Sequence, residues 1–206
     1  MPVSLRKSSL LLCLCASLLA ACGSAPTVRD SKVLGANVAK VQSLQFIYRN
    51  ADMRTTSSSS YGRGAFVADT GFNSFGAQLV KQVQPVFTPR GVAVSDAKVI
   101  DGAARISVDT PPLATAAGLL PQILIITPVS GKVSATGHAT TASYVFSAQL
   151  YEPNTRRMVW RASIDTTSWS GQDVVLRNAG KTLYDEAYAA KLLEAVAVQM
   201  KADGIL

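Results

Sequence analysis

The side chains best suited to covalent or metal chemistry are few in this chain of 206 residues, and most lie near its start. The three cysteines, Cys13, Cys15 and Cys22, all fall within the first 22 residues, and the one histidine is His138. The rest of the chain therefore has no cysteine for a disulfide framework or a thiolate metal site. Because His138 lies in a small polar stretch without an identifiable nucleophile, a surface or hydrogen-bonded role is favoured over catalysis.

Motifs of the common active sites are also missing. The chain contains no G-x-S-x-G elbow, no phosphate loop, no G-x-G-x-x-G and no H-E-x-x-H. The aspartates that could form a catalytic pair are scattered among predicted loops, which favours solvated strand ends and helix caps: Asp101, Asp109, Asp165 and Asp173. We therefore predict a protein that is not an enzyme and that uses no cofactor and no metal.

The segment that ends at Cys22 has the pattern of an export signal. Arg6 and Lys7 form a short positive head, and an apolar run of 12 residues from Leu10 to Ala21 follows. A helix that spans a bilayer needs roughly 20 apolar residues, so this run predicts a cleaved signal peptide instead of a membrane span. Its last four residues, Leu19-Ala20-Ala21-Cys22, resemble the lipobox of bacterial lipoproteins.

The lipobox resemblance implies cleavage between Ala21 and Cys22, a diacylglyceryl group on the Cys22 thiol and an acyl chain such as palmitate on the new amine. Two or three such chains anchor a protein stably. Gly23 stands where the family's inner-membrane retention signal typically has Asp, so the resemblance implies the periplasmic face of the outer membrane. In a host with a single membrane it implies the outer face of the cell membrane. The alternative is an ordinary cleaved signal in which Cys22 has no role.

We divide the chain into a signal peptide over residues 1–21, a lipidated cysteine and tether over 22–42, and one domain over 43–206. Residues 23–42 mix small, polar and charged side chains without a sustained apolar period, which is typical of a tether. Loss of Arg6 and Lys7 with the signal lowers the net charge from +7 to +5, a mild balance. With 48% hydrophobic residues, the mature chain can bury a core without disulfides.

Hydrophobic spacing predicts the elements of the first half. Residues 44–48 have strand composition, whereas residues 50–64, with their run of serines, are typical of a loop. An amphipathic helix limited by Pro85 is predicted by apolar residues at helical spacing: Phe72, Phe75, Leu79, Val80 and Val83. Short strands are predicted after Gly91, at residues 92–94, 98–100 and 104–108.

A β-hairpin and a helix are predicted in the last third. Residues 143–151 and 158–167 are strands joined by the turn-forming Glu152-Pro153-Asn154-Thr155. Alternation places Phe146, Ala148 and Leu150 on one face and Val145, Ser147, Gln149 and Tyr151 on the other. Residues 181–202 predict a closing helix stopped at Asp203-Gly204, with one face formed by Tyr184, Tyr188, Leu192, Leu193, Val196 and Met200. The order predicts an α/β (α+β) fold: a single mixed sheet with a long C-terminal hairpin, covered by two main helices.

The middle of the chain is uncharged between Asp109 and Lys132. Four prolines would break any spanning helix there: Pro111, Pro112, Pro121 and Pro128. The apolar run at residues 123–126 predicts a central buried strand preceded by an apolar loop. The alternative is that residues 111–121 form an exposed apolar flap, with Leu113 and Leu119, for a partner or a lipid.

Two parts of the chain resemble known lipoproteins. They are the hairpin over residues 144–164, with Leu150-Tyr151-Glu152 before its turn and Val159-Trp160-Arg161 after it, and the closing helix over 192–206. Here the chain is similar to small periplasmic lipoproteins with a domain like the N-terminal domain of TolB, the curli-channel lipoprotein or the lipoprotein activators of penicillin-binding proteins. These families share a fold and a location but not one activity.

Basic and aromatic residues cluster in sequence near the hairpin turn. Arg156 and Arg157 follow the turn, and a patch with Trp160, Arg161 and Trp169 would suit lipid head groups, glycan or an acidic protein. The favoured interpretation is a solvated turn with one core and one rim tryptophan.

The sequence therefore predicts a membrane-anchored envelope lipoprotein that acts as an accessory or scaffolding component. Its expected partner is another envelope protein, bound through a sheet edge or the flap, and the compartment argues against nucleic acid. The candidate interaction residues are Leu113, Leu119, Arg156, Arg157 and Trp169. The alternative function is a carrier or sensor of a lipid or other amphiphile held between the sheet and the helix that bears Phe72, Phe75 and Leu79.

Overall fold

One mixed β-sheet with two helices on one face makes up the described part of the chain. A computed structural model describes residues 25–50, 54–59, 70–101, 120–136, 139–169 and 186–206. The strands are β1 Thr27–Val33, β2 Ser43–Asn50, β3 Arg54–Ser59, β4 Ala93–Asp101, β5 Gln122–Thr136, β6 Ala139–Tyr151 and β7 Met158–Asp165. The helices are α1 Thr70–Phe87 and α2 Glu186–Ala202, with short 3-10 turns at Thr88–Arg90 and Thr167–Trp169.

The sheet runs in the order β1-β7-β6-β5-β2-β4, and β3 pairs with the far part of β5. The pairs β1·β7, β6·β7 and β5·β6 are antiparallel, whereas β2·β4, β2·β5 and β3·β5 are parallel. This topology confirms the predicted α+β fold with a single mixed sheet, a long C-terminal hairpin and two covering helices.

Strand β5 lies at the centre of the sheet, as the apolar run at residues 123–126 predicted. Leu124 and Ile126 are fully buried beneath the helices. Ile123 and Ile125 point to the other face, where they form a smaller apolar cluster with Ile47. Burial on both faces explains why this strand is continuously apolar.

Helix α1 packs the predicted apolar face onto the sheet. Phe75, Leu79 and Val83 are buried, and the ring centroids of Phe75 and Phe146 lie 5.8 Å apart. The prediction that Pro85 limits the helix is wrong, because α1 continues to Phe87. Pro85 removes one N–H only in the last turn, and the burial of Val86 and Phe87 holds that turn against the core.

Helix α2 confirms the predicted closing helix within the described residues. Its buried face includes Leu192, Leu193, Val196 and Met200, and Tyr188 packs at the edge of the core. The chain leaves the helix at Gly204, whose φ of 76° is the left-handed conformation expected of a helix stop. Arg90 forms an ion pair with Glu194 and so joins the end of α1 to α2.

The tether predicted over residues 22–42 is wrong from Thr27 onward, because β1 pairs with β7 at the edge of the sheet. Its apolar residues Val28 and Val33 are five positions apart, a spacing that fits no regular strand. A bulge between Arg29 and Lys32, with Asp30 at a φ of 52°, brings both valines to the same core. A sequence pattern of period two therefore could not show this strand.

A polar network fastens β1 to the end of the chain. Trp160 Nε1 donates to Asp203 Oδ2 at 2.7 Å and to Ser31 Oγ at 3.2 Å, while Ser31 Oγ and Gln199 Nε2 also donate to Asp203. Burial by itself raises the pKa of Asp203, but these hydrogen bonds outweigh it and hold that pKa below its ordinary value. The ionised carboxylate therefore accepts bonds from β1, β7 and α2 together.

The loop predicted over residues 50–64 is also wrong in part, since Arg54–Ser59 form β3 and pair with residues 130–135 of β5. β5 and β6 likewise continue past their apolar parts as far as Thr136 and Ala139. These stretches are held by backbone pairing, so their small polar residues give no apolar alternation. Pro128 fits within β5 because the register shifts between Pro128 and Ser130.

A test of the packing of α1 concerns Gly76, which lies against the ring of Tyr48 in β2. A Cβ at position 76 would overlap Tyr48 Cδ1 and lie 2.7 Å from Cε1. We expect Gly76→Ala to lower the free energy of unfolding by about 1–3 kcal/mol despite the better helix propensity of alanine. Denaturant unfolding measures this change.

The control is the same substitution in a Tyr48→Leu background, where the ring is absent and the alanine should no longer destabilise. If Gly76→Ala stabilises the protein with Tyr48 in place, the close approach of α1 to β2 is wrong.

Candidate functional site

A cavity of about 410 Å³ opens at the end of the sheet where β2 and β5 begin and where the β6–β7 turn lies. We call it the turn cavity. It is lined by Ala39, Lys40, Gln42, Ser43, Leu120, Gln122, Glu152, Pro153, Asn154 and Thr155. Three separate parts of the chain thus converge on it: the approach to β2, the approach to β5 and the predicted turn.

The turn that forms one wall is held by its own hydrogen bonds. The Glu152 N–H donates to the Arg157 C=O at 3.0 Å, and the Arg156 N–H donates to the Glu152 C=O at 3.0 Å. Thr155 Oγ1 donates to the Glu152 carboxylate at 2.8 Å. These bonds confirm the predicted turn and fix its shape, so this wall of the cavity is preorganised.

The opposite wall contains two buried polar side chains that each have an oxygen without a hydrogen-bond partner. Ser43 is 4% exposed and Gln122 is 7% exposed, and both precede strand residues of the core. Ser43 Oγ and Gln122 Oε1 have no hydrogen-bond partner, although Gln122 Nε2 donates to the Ala39 carbonyl at 3.2 Å. By contrast, the hydroxyl of buried Thr166 bonds to the backbone of Tyr144.

An unpaired buried polar group costs roughly 1–3 kcal/mol. The parallel register sets Leu44 beside Gln122, so Ser43 and Gln122 lie at the starts of neighbouring strands. A hydroxyl oxygen such as Ser43 Oγ can donate or accept, and an amide oxygen such as Gln122 Oε1 can accept. The cavity is therefore equipped to hydrogen-bond an entering group that carries both a donor and an acceptor.

The rim of the cavity carries opposite charges and one apolar side chain. Lys40 and Glu152 contribute the charges, and Leu120 is 39% exposed. Leu120 and Pro121 are also the last residues of the predicted flap, and Pro121 is buried. Leu113 and Leu119 lie outside the described residues, as do Ala21, Cys22 and His138.

The structure does not bring the candidate basic and aromatic patch together. Arg156 and Arg157 are exposed at the turn, whereas Trp169 follows the other end of β7, a strand about 23 Å long. Trp160 is fully buried and bonded to Asp203, so it belongs to the core. The structure therefore favours the solvated turn with a core tryptophan.

The space expected for an amphiphile between the sheet and α1 is filled by side chains. Phe75 and Leu79 are buried against the sheet, and Gly76 touches the ring of Tyr48. The described part of this interface is a packed core, which argues against a ligand chamber there.

The other face of the sheet carries the smaller cluster of Ile47, Ile123 and Ile125, with Ile100 and Tyr151 partly buried beside it. Tyr151 Oη donates to Gln149 Oε1 at 2.9 Å. Burial raises the pKa of Tyr151, and nearby Arg49 partly opposes that shift. This face is apolar at its centre and polar toward its sides.

Neither a metal-ligand cluster nor a membrane-spanning helix occurs among the described residues. Among those that the structure describes, no group of three or more His, Cys, Asp or Glu side chains could hold a metal ion. Within the same ranges, no helix has the length and apolar character needed to cross a membrane.

Neither protein-family models nor curated proteins match the chain. Among solved structures it is similar to the PelC dodecamer from Paraburkholderia phytofirmans, with 15% identity, 83% and 96% of the two chains covered and a TM-score of 0.40. It is also similar to lipoprotein GNA1162 from Neisseria meningitidis, with 15% identity and a TM-score of 0.34. That match covers 76% of this chain and 98% of the other. A third similar structure is protein XCC0632 of the DUF330 family from Xanthomonas campestris. Its identity is 15%, the match covers 87% of this chain and 90% of that one, and the TM-score is 0.34. At TM-scores below 0.5 these likenesses assign neither a family nor an activity.

The unpaired hydroxyl of Ser43 predicts how the free energy of unfolding changes when it is removed. Because Ser43→Ala removes a buried group without a partner, it should raise the free energy of unfolding by about 1 kcal/mol or leave it unchanged. The matched control is Ser95→Ala, which deletes a hydroxyl that donates to the Leu44 carbonyl at 3.2 Å and should lower it by about 0.5–1.5 kcal/mol. Equal losses in both variants would show that Ser43 already has a partner within the protein.

Proposed function

We propose that the protein is a non-enzymatic envelope lipoprotein, anchored through lipidated Cys22, that binds another envelope protein at the turn cavity. It acts as an accessory or scaffolding component. The observation that carries the proposal is that Ser43 and Gln122, whose Oγ and Oε1 are buried without a hydrogen-bond partner, both line that cavity.

A protein segment supplies what these two atoms lack. A peptide group has a C=O that accepts from the Ser43 hydroxyl and an N–H that donates to Gln122 Oε1. Leu120 and Pro153 offer apolar contact beside them, and Lys40 and Glu152 offer charges of both signs at the rim. A binding surface with an apolar part and a few directed polar groups is typical of specific recognition.

The lipid anchor is supported by the sequence around Cys22. The positive head, the short apolar run and the lipobox-like Leu19-Ala20-Ala21-Cys22 occur at the spacing of lipoprotein signals. Gly23 favours the periplasmic face of an outer membrane in a two-membrane host. The candidate flap with Leu113 and Leu119 stays a prediction, and its last residues meet the rim of the turn cavity at Leu120.

The anchor is tested by Cys22→Ser in cells fed a palmitate analogue. The variant should lose labelling and should leave the membrane fraction, because no acyl chain can be attached. Wild-type protein is the positive control, and Ser24→Ala controls for changes next to the cleavage site. Unchanged labelling of Cys22→Ser would contradict the anchor.

The partner is tested by a photo-crosslinking amino acid placed in the full chain in living cells. At Asn154, on the turn cavity, we expect one protein adduct. At Val198, which is 61% exposed on α2, we expect none.

Identical adducts at both positions, or none at Asn154, would contradict binding at the turn cavity. Lipid that co-purifies without a protein adduct would favour the carrier alternative. Turnover of cell-wall fragments by the purified protein would contradict the non-enzymatic role.

A further inference from the structure

The two ends of the sheet differ, and the register identifies them. At one end Thr27 lies beside Asp165, and Asp165 lies beside Val145. At the other end lie the β6–β7 turn and the turn cavity. β1 begins at the first end and runs toward the second, so the chain enters the domain at the end opposite the turn cavity.

A projection made of strands leaves the sheet at this entry end. β6 pairs with β7 only from Val145 onward, but it continues back to Ala139 and pairs there with β5. β3 adds a third strand to this part. We call residues 54–59, 131–136 and 139–144 the extension. The six residue steps from Val145 to Ala139 make it about 20 Å long.

The chain between the lipidation site and the fold is short. Ser168 Oγ donates to the Ala25 carbonyl at 3.0 Å, so the described chain is held at the entry end from Ala25. Three residue steps separate Cys22 from Ala25, and they span at most about 11 Å. The bilayer surface that holds Cys22 must therefore lie close to the entry end.

These lengths restrict the orientation of the domain. With the turn cavity toward the bilayer, the length of β7, about 23 Å, would separate Ala25 from the surface. The three residue steps from Cys22 to Ala25, which reach about 11 Å, cannot span that distance. With the entry end toward the bilayer, the extension of about 20 Å is at least as long as the segment from Cys22 to Ala25. Its far end would therefore reach the bilayer surface.

We infer that the extension lies against the lipid surface that holds Cys22, and that the turn cavity faces away from the membrane. This inference rests on the lipid anchor of the proposed function. The partner surface is a layer of phospholipid head groups.

The composition of the extension fits head groups. Its charged residues are Arg54 and Lys132, both basic, and it contains no acidic residue. Basic residues near a membrane surface are attracted to anionic lipids. Serine and threonine dominate the remainder, which suits contact with the polar surface better than burial in hydrocarbon.

The test uses the full lipidated protein in vesicles of phosphatidylethanolamine and phosphatidylglycerol that contain a lipid with a nitroxide on its head group. Because Cys22 is blocked by its thioether and Cys13 and Cys15 leave with the signal, one introduced cysteine is the single reactive thiol. A fluorophore is attached to Thr141→Cys in the extension or to Asn154→Cys at the turn. About 33 Å or more of β6 separates these positions. Val198→Cys on α2 is the exposed control.

We expect the head-group nitroxide to quench the label at position 141 several-fold more strongly than the labels at 154 and 198. Equal quenching at 141 and 154, or stronger quenching at 154, would overturn the orientation. Stronger quenching at 141 by a nitroxide deep in the acyl chains than by the head-group nitroxide would also overturn surface contact.

A failure of the lipid anchor can be distinguished experimentally from a failure of partner binding. Two labelled thiols per chain would show that Cys22 is free, which would overturn the anchor and with it this orientation. Loss of the partner adduct at Asn154, in contrast, leaves the vesicle result unaffected, because the vesicles contain no other protein.

Discussion

The pairing of β5 on both of its edges is the constraint on which the rest of the structure depends. Residues 123–126 are buried, so water cannot satisfy their backbone N–H and C=O groups and neighbouring strands must do so. β6 runs along one edge for the full length, while β2 and then β3 share the other. This arrangement brings the starts of β2 and β5 together at the turn cavity, and it carries the same three-strand pairing beyond the body of the sheet.

The sequence was informative wherever one face of an element is buried against the core. Helical spacing at Phe75, Leu79 and Val83 and alternation at Phe146, Ala148 and Leu150 both identify a buried face, and the structure confirms those elements. Elements held mainly by backbone pairing gave no such signal. A bulge disrupts the period of β1, and small polar residues conceal β3 and the far part of β5. The end of α1 was mispredicted at Pro85 because the burial of Val86 and Phe87 extends the helix past the proline.

The candidate site was less accessible to sequence reasoning than the fold. Ser43 and Gln122 come near each other only through the register of two strands whose first residues are 79 positions apart in the chain, and single-sequence patterns do not report register between strands. The one available signal was a polar residue at the start of each buried strand, before Leu44 and before Ile123. Arg156 and Trp169 show the reverse error: they are near in sequence, but β7 sets them at opposite ends of the sheet.

The network around Asp203 also bears on the order in which the chain folds. Ser31 is bonded to a carboxylate 172 residues later, and Val41 N–H donates to the Ile205 carbonyl at 2.9 Å. Contacts between such distant residues form late, because the loop between them must close first. β1 therefore has no acceptor at Asp203 until the final residues of the chain are in place. Docking of the first strand would then be among the last steps of folding, and a protease would distinguish an unfinished chain from a finished one by cleavage near Ser31, before the network around Asp203 has formed.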